Sequence, residues 1–442
     1  MGKKYTILFL FFLWPFMAFP QDIFKIKGGK DKYSMSFQQI NNLIVIPVEI
    51  NEKKLNFILD TGIDKTILLN LKFSDSLELR NIEEIIINGL GEGEPLTAYK
   101  SKKNHTKIGN IINFDHLIYA VMGSDFDLSA KMGMDINGII GGDLLHDFIV
   151  HINFSKKKLV FYDPDKYSYK KCKKCEEFPL LFYNRKPFII AQVEDENQQK
   201  FDVKLLIDSG GGDALWLFNT SSPKIKIPNK NFDDYLGRGL SGEIHGKRSR
   251  IPKFSLGSFT FENVNVAYPD STSILAAHKH KERNGTIGAE IIRRFNIILD
   301  YRKESIILMK NKRAFKKPFL YNKSGIEIFY GGEILIKNPK NKETGFRVDK
   351  EQNKIYTDIL NYFDYVYMPS FEIALLRENS EAKNAGLQVG DIILEINDKS
   401  VYDKNIEEII YILSGNEGGK IKMLIERKGL KIVYRFKLRS LL

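Results

Sequence analysis

Apolar residues along this chain fall in short runs rich in Ile, Val, Leu and Phe, interrupted by Gly, Asn, Asp and Lys. Runs of that kind between turn-forming residues predict strands, and Leu43 to Ile50, Glu84 to Ile87 and Phe188 to Val193 are examples. Helical spacing is brief by contrast. It is predicted around Asp143 to Phe148 and Ala289 to Phe295, and again near the C-terminus. There Ile406, Ile409, Ile410 and Leu413 recur at helical intervals behind Asn405, with Glu408 three residues on, as in a capping box. The pattern as a whole predicts a mostly β protein.

The pattern also repeats. Asn56-Phe57-Ile58-Leu59-Asp60-Thr61-Gly62 reads like Lys204-Leu205-Leu206-Ile207-Asp208-Ser209-Gly210. Gly138-Ile139-Ile140-Gly141-Gly142-Asp143 reads like Gly285-Thr286-Ile287-Gly288-Ala289-Glu290, and the strand that follows each ends at Asn153 or Asp300. The offset stays near ~147 residues at every landmark, which implies one unit used twice. The connectors are Pro164 to Pro179, between the units, and Asn311 to Pro318, after the second.

Composition narrows the class. The chain has 442 residues, 43% of them hydrophobic and 12% aromatic, as expected for a folded protein of several domains. Its net charge of +12 is spread beside Asn and Glu and does not gather on one helix. A well-solvated basic surface is therefore expected, and no nucleic-acid partner. Lys3 and Lys4 precede the apolar run Ile7 to Phe19, and polar sequence resumes at Gln21. That is the pattern of a secretory leader, either cleaved or kept as an anchor, and no other segment is apolar enough to span a bilayer. Export to a bacterial periplasm or envelope, or secretion, follows as an expectation. The only cysteines, Cys172 and Cys175, sit in a Lys-rich connector. A local disulfide is expected there, with a reactive pair or a metal site as alternatives.

Two Asp-hydroxyl-Gly triplets, each closing an apolar strand, suggest one shared acid/base site. Water held between two carboxyl groups can hydrolyse a peptide bond with no metal or cofactor. One carboxylate takes a proton from the water while the other, protonated, polarises the carbonyl oxygen. Two carboxyls about 3 Å apart share a proton and titrate together. Asp60 and Asp208 are the candidate pair. Gly62 and Gly210 would permit their close approach, and the hydroxyls of Thr61 and Ser209 could bond the opposing backbone.

With their later Gly-containing runs, the triplets resemble the aspartic peptidases of the retroviral and pepsin type, over roughly residues 35 to 310. The resemblance implies a two-lobed, acid-protease-like β-barrel pseudodimer with one catalytic Asp per lobe. It also implies hairpin flaps over the cleft, at Asn88 to Gly93 (Gly89 and Gly91) and at Gly237 to Gly246 (Gly239 and Gly242). Tyr99 and Tyr235 are the candidate flap aromatics. Ile63, Gly211-Gly212 and Thr286 depart from the family pattern.

Three other motifs are weaker. Gly237 to Gly242 matches G-x-G-x-x-G but lacks the following helix that a dinucleotide site needs, so a flap turn is expected. His278 and His280 are expected in a surface loop. His146-Asp147 is expected on an ordinary helix surface, because lobe two has Arg293-Arg294 at the equivalent place.

From about Ser370 the character changes. Ala385-Gly386-Leu387 through Gly390-Asp391 to Ile396-Asn397 resembles a PDZ domain of the bacterial envelope-protease kind. Such a domain implies strand addition and capture of a C-terminal carboxylate. Its groove is expected between Phe371 to Leu376 and the Asn405 to Leu413 helix, lined by Phe371, Ile373, Ile406 and Ile410. The segment Gly332 to Met368 reads as an insertion. The organisation is therefore a leader at 1–20, lobe one at 21–165, a linker at 166–180, lobe two at 181–317 and a PDZ-like domain at 318–442. The expected activity is that of an exported aspartic endopeptidase acting on peptides or proteins, with a C-terminal peptide as possible PDZ ligand. The alternative is a catalytically silent peptide-binding envelope protein.

Overall fold

The computed structural model describes residues 22–69, 77–87, 89–121, 128–280, 282–339, 343–360 and 363–442. The leader and Asn88 lie outside them. Strands dominate, as the short apolar runs require, and the longest α-helix described, Ile406–Leu413, has eight residues.

Each half of the repeat builds the same strand order around its aspartate, lobe one adding Lys25–Ile26 at the edge of its sheet. In lobe one, Gly138–Ile140 lies parallel to Lys53–Leu59, with Ile139 beside Ile58, and antiparallel to Thr66–Leu68. Thr66–Leu68 in turn runs parallel to Ile111–Val121. In lobe two, Gly285–Ile287 lies parallel to Lys200–Ile207, with Thr286 beside Leu206, and antiparallel to Leu215–Leu217. Leu215–Leu217 runs parallel to Phe259–Pro269. The common register explains the constant offset along the sequence. The inserted strand holds the Asp-bearing one in place. Asp60 N–H donates to Ile140 O and Asp208 N–H to Ile287 O, at 2.9 and 3.0 Å.

A third sheet of six strands joins the lobes, in the order Cys175–Pro179, Ser305–Lys310, Phe295–Asp300, Ile149–Asn153, Lys158–Tyr162 and Lys32–Ser36. Its middle pair crosses the lobe boundary, Ile149 lying opposite Asp300 and Ile152 opposite Ile297. One apolar core runs through both lobes beneath it, from Phe24 to Phe319. Part of the expected linker is thus a strand. Cys175–Pro179 pairs with Ser305–Lys310, burying Phe178, while its remaining side chains stay polar enough to read as a connector. Cys172 and Cys175, at its start, are joined by a disulfide.

The C-terminal module has its own core, built on Ile326, Ile373, Ile393, Ile396, Ile409, Leu413 and Met423 among others. Its sheet runs Ile326–Pro339, Phe363–Leu376, Ile392–Ile396, Lys420–Arg427, Leu430–Lys437. Ile406–Leu413 packs on it behind a complete capping box. Asn405 Oδ1 accepts from Glu408 N–H, and Glu408 Oε2 accepts from Asn405 N–H. The insertion extends the first two strands into a long hairpin, which also carries the pair Glu343–Asp349 and Lys354–Leu360.

Candidate active site

Asp60 and Asp208 meet where the lobes meet. The amide of Gly210 donates to both carboxyls, 3.2 Å to Asp60 Oδ1 and 3.0 Å to Asp208 Oδ1. Gly62 N–H adds a 2.6 Å bond to Asp60, and Gly211 N–H a 2.8 Å bond to Asp208. Each carboxyl also lies against the opposite lobe's glycine. A methyl group at Gly62 would stand 2.8 Å from Asp208 Cγ, and one at Gly210 would collide with the Asp60 carboxyl. Only a residue without Cβ allows both approaches.

Thr61 and Ser209 clasp the two loops reciprocally. Thr61 Oγ1 donates to Ile207 O at 2.7 Å and accepts from Ser209 N–H at 3.0 Å. Ser209 Oγ donates to Leu59 O at 2.9 Å and accepts from Thr61 N–H at 3.0 Å. All four groups are buried, so each bond replaces one that water cannot supply.

The carboxyls are not equivalent. Asp60 is only 6% exposed, whereas Asp208 is half-buried. Burial, and then the charge of Asp208, push the Asp60 carboxyl up to about 8 against the pull of the Gly62 amide and Lys186. The protonated form is therefore favoured at Asp60, while Asp208 accepts from two glycine amides.

Over the pair, the two hairpin turns touch. Ser241 N–H donates to Leu90 O and Gly89 N–H to Ser241 Oγ, both at 2.9 Å, and Gly93 N–H reaches Ser241 O. Gly91 N–H donates to Ser273 O at 2.9 Å. Gly239 and Gly242 flank this turn, at the end of Asn231–Gly239 and the start of Gly242–Leu256. No helix follows, so the G-x-G-x-x-G pattern is a hairpin here. Tyr235 faces the space beneath, while Tyr99 packs against the core of lobe one.

That space is a cavity of about 1530 Å³ that runs from Asp60 and Asp208 to the C-terminal module. Lobe one lines it with Leu43, Ile58, Ile63, Met132 and Ile139. Among the lobe-two cations that line it, Lys186 and Arg283 stand beside the aspartates and were not anticipated from the sequence. Thr286, the departure from the apolar pattern, is explained by Arg283, whose Nη2 donates to Thr286 Oγ1 at 2.6 Å.

Other predicted residues fall elsewhere. His146 is not on a free helix surface. Its ring packs against Phe182 and Tyr301, and its Nε2 lies 3.1 Å from Arg185 O, so it helps join the lobes. His280 stacks on Tyr183. A buried cluster was missed altogether. Asp143 Oδ2 accepts from Thr66 N–H and Oγ1 and lies 2.9 Å from His116 Nε2, while His116 Nδ1 meets Thr106 Oγ1. His116 is fully buried, so the cluster holds strands together and cannot reach a substrate.

The expected PDZ groove needs correction. Phe371 and Ile373 are core residues of a strand bonded on both sides, to Ile326–Pro339 and to the Asp391–Ile396 region. The sheet edge beside the helix is Ile326 to Tyr330, and it faces Ile406 and Ile410 across the cavity. The glycine turn belonging to this edge is Ser324-Gly325, with Gly325 at φ +78°. It lies upstream of the insertion, which is why a reading that began at Ser370 took the next strand. At the turn itself, Ser324 Oγ accepts from Ile326 N–H and Asn322 Nδ2 donates to Ile326 O. Local side chains thus hold part of the backbone that would greet a peptide terminus.

The module is anchored beside the cleft. Arg377 Nε binds Asp234 Oδ1 at 3.0 Å, Asp234 Oδ2 binds Arg248 Nε at 2.7 Å, and Arg248 Nη1 binds Asp213 Oδ1 at 3.0 Å. Lys131 of lobe one adds a looser pair with Glu327 at 3.7 Å.

Comparison with protein-family models matches an aspartyl protease domain to residues 46–144 and 191–291, and a PDZ domain to residues 372–427. No curated protein matches the chain. The two protease segments fall one in each lobe and contain the two Asp-hydroxyl-Gly triplets. The chain therefore carries a retropepsin-like aspartyl protease domain in two segments, followed by a C-terminal PDZ domain.

Proposed function

We propose that this protein is an exported aspartic endopeptidase whose catalytic pair is Asp60 and Asp208. Asp208, as the anion, takes a proton from a water held between the carboxyls, and the water oxygen adds to the peptide carbonyl carbon. Asp60 gives its proton to the carbonyl oxygen. The resulting tetrahedral diol collapses as Asp208 returns its proton to the amide nitrogen and the C–N bond breaks. Asp60 recovers its proton from one hydroxyl of the diol, whose oxygen becomes the carbonyl of the new carboxyl group as the amine departs. The observation that carries this reading is the Gly210 amide shared by both carboxyls across the lobe boundary.

The PDZ module, at the far end of the same cavity, would position the polypeptide. The disulfide and the leader pattern both support an oxidising, exported setting such as the periplasm or cell envelope. The test is digestion of an unfolded protein by the full chain. Wild type should cut, whereas Asp60→Asn and Asp208→Asn should each abolish cutting while keeping the wild-type fold by circular dichroism. Cutting that persists in both variants would refute the pair; binding without cutting by wild type would leave a peptide-binding protein. Activity should fall as pH rises through about 8, where Asp60 loses its proton.

A further inference from the structure

The two walls of the cleft come from equivalent positions in the two lobes, yet their chemistry differs. Val45 lies opposite Ile58, and Phe188 lies opposite Leu206. Ile58 and Leu206 each stand two residues before the aspartate of their lobe. Two residues back along the partner strands are Leu43 and Lys186, each just after a hairpin turn, at Asn41-Asn42 and Asn184-Arg185. Likewise Ile136 and Arg283 each precede the inserted strand's first glycine by two residues, and Ile139 and Thr286 each follow it by one. Three aliphatic positions in lobe one are therefore Lys, Arg and Thr in lobe two.

These cations are not neutralised by neighbours. Among the described residues neither forms an ion pair. Arg283 spends Nε on Gly285 O and Nη2 on Thr286 Oγ1, and its guanidinium covers the Phe218 ring at 5.2 Å, all uncharged partners. Lys186 feels Asp60, Asp208 and Asp64, and Arg283 feels Asp208. Asp64 is already held by Arg185 at 2.8 Å, and the aspartate pair carries one negative charge when it shares a proton. Two cations then face one net anion. Burial pushes both cations down, Arg283 to about 10, while the nearby aspartates pull each back towards its charged form. A cation that is half-buried, like Lys186, or buried, like Arg283, is costly to keep without a full partner unless something supplies the missing charge.

We propose that the lobe-two wall of the cleft, carrying Lys186 and Arg283, is an anion-selective subsite. The bond cut would join an apolar residue seated on lobe one to an aspartate or glutamate seated on lobe two. This rests on the reading of Asp60 and Asp208 as the catalytic pair. The carboxylate of the substrate completes the charge balance at the wall, and Thr286 keeps the Arg283 fork aimed. A neutral side chain there would leave the cations unsatisfied, so discrimination arises from both attraction and penalty.

The experiment uses the full chain and a peptide library, with cut sites identified by mass spectrometry. Apolar–acidic junctions should be enriched at least ~10-fold over apolar–apolar ones. Lys186→Leu, which copies Leu43, should lower kcat/KM for acidic junctions by on the order of 30-fold and raise the share of apolar–apolar cuts. Lys186→Glu should shift the preference towards Lys and Arg. Cuts that are apolar on both sides, unchanged in Lys186→Leu, would overturn the subsite. A second measurement covers the case in which nothing is cut. Labelled peptides with a reduced, uncleavable bond, identical except for Glu or Gln at the junction, are titrated onto the Asp60→Asn chain. Tighter binding of the Glu peptide, lost on adding Lys186→Leu, supports the subsite even if the catalytic reading fails. Equal affinities refute the subsite whatever the activity.

Discussion

In lobe one the strand ending at Leu59 delivers a carboxyl into a buried, apolar setting, beside Ile58, Ile63 and Ile139. In lobe two the matching strand delivers Asp208 into a more open setting, beside Lys186, Arg283 and Thr286. The two share the strand order around the aspartates, down to the amide bonds from the inserted strand. The comparison separates two jobs. Backbone and glycine positions fix where the carboxyls stand, and the surroundings of Asp60 raise its carboxyl; on the proposal above, the lobe-two wall also sets what can lie beside the pair. Duplication supplied the first symmetrically; the second is where the copies diverge.

The largest expected effect tests the difference in burial. Because the Asp60 carboxyl is raised in the folded state, folding is increasingly penalised as pH climbs from about 4 towards about 8. Asp60→Asn removes that titration. Its stability gain over wild type should be small near pH 4 and reach several kcal/mol, roughly, at pH 8, read from denaturant midpoints at both pH values. A gain that does not grow with pH would mean that Asp60 is not the protonated partner.

Next come the glycines. Gly210→Ala should cost roughly a hundredfold or more in kcat/KM, because the added methyl displaces the Asp60 carboxyl. Gly211→Ala, whose methyl would meet Asp208 at an ordinary 3.6 Å, should cost little. Equal losses in the two would show that loop flexibility, and not close approach, is what the glycines provide.

The reciprocal hydroxyls should matter about equally despite their different lobes. Thr61→Val and Ser209→Ala each strip two buried cross-lobe bonds and should each cost about 2 to 4 kcal/mol in urea unfolding. The smallest effects concern the anchoring of the PDZ module. Arg377→Ala breaks a mostly buried pair and leaves Asp234 to Arg248 alone, so about 1 to 3 kcal/mol is expected, together with faster protease nicking between the modules. Lys131→Ala removes an exposed, longer pair and should fall below about 0.5 kcal/mol.

Much of this architecture was legible in the sequence because it is written twice. The apolar runs, the triplets and the glycine runs each occur at one offset, so chance could be set aside, and the Asn405 capping box declared its helix locally. The cleft cations escaped because Leu43 and Lys186, or Ile136 and Arg283, become equivalent only once strand pairing is known. Thr286 was visible as an anomaly, and a comparison of the halves residue by residue would have led from it to Arg283. The groove strand was misplaced because the insertion separates the Gly325 turn from the rest of the module. Asp143 closes a repeated glycine run, but its partner His116 lies across a sequence gap in a strand with no motif to mark it, and Cys175–Pro179 hides one buried Phe among charges.

The sheet that bridges the lobes through Ile149–Asn153 and Phe295–Asp300 also limits how the molecule can breathe. With continuous ladder bonding beneath, the lobes have no hinge at their floor, so any widening of the cleft falls to the roof, where Leu90 meets Ser241. Either half made alone would present a bare row of amides and carbonyls along that seam, open to whichever strand arrives first.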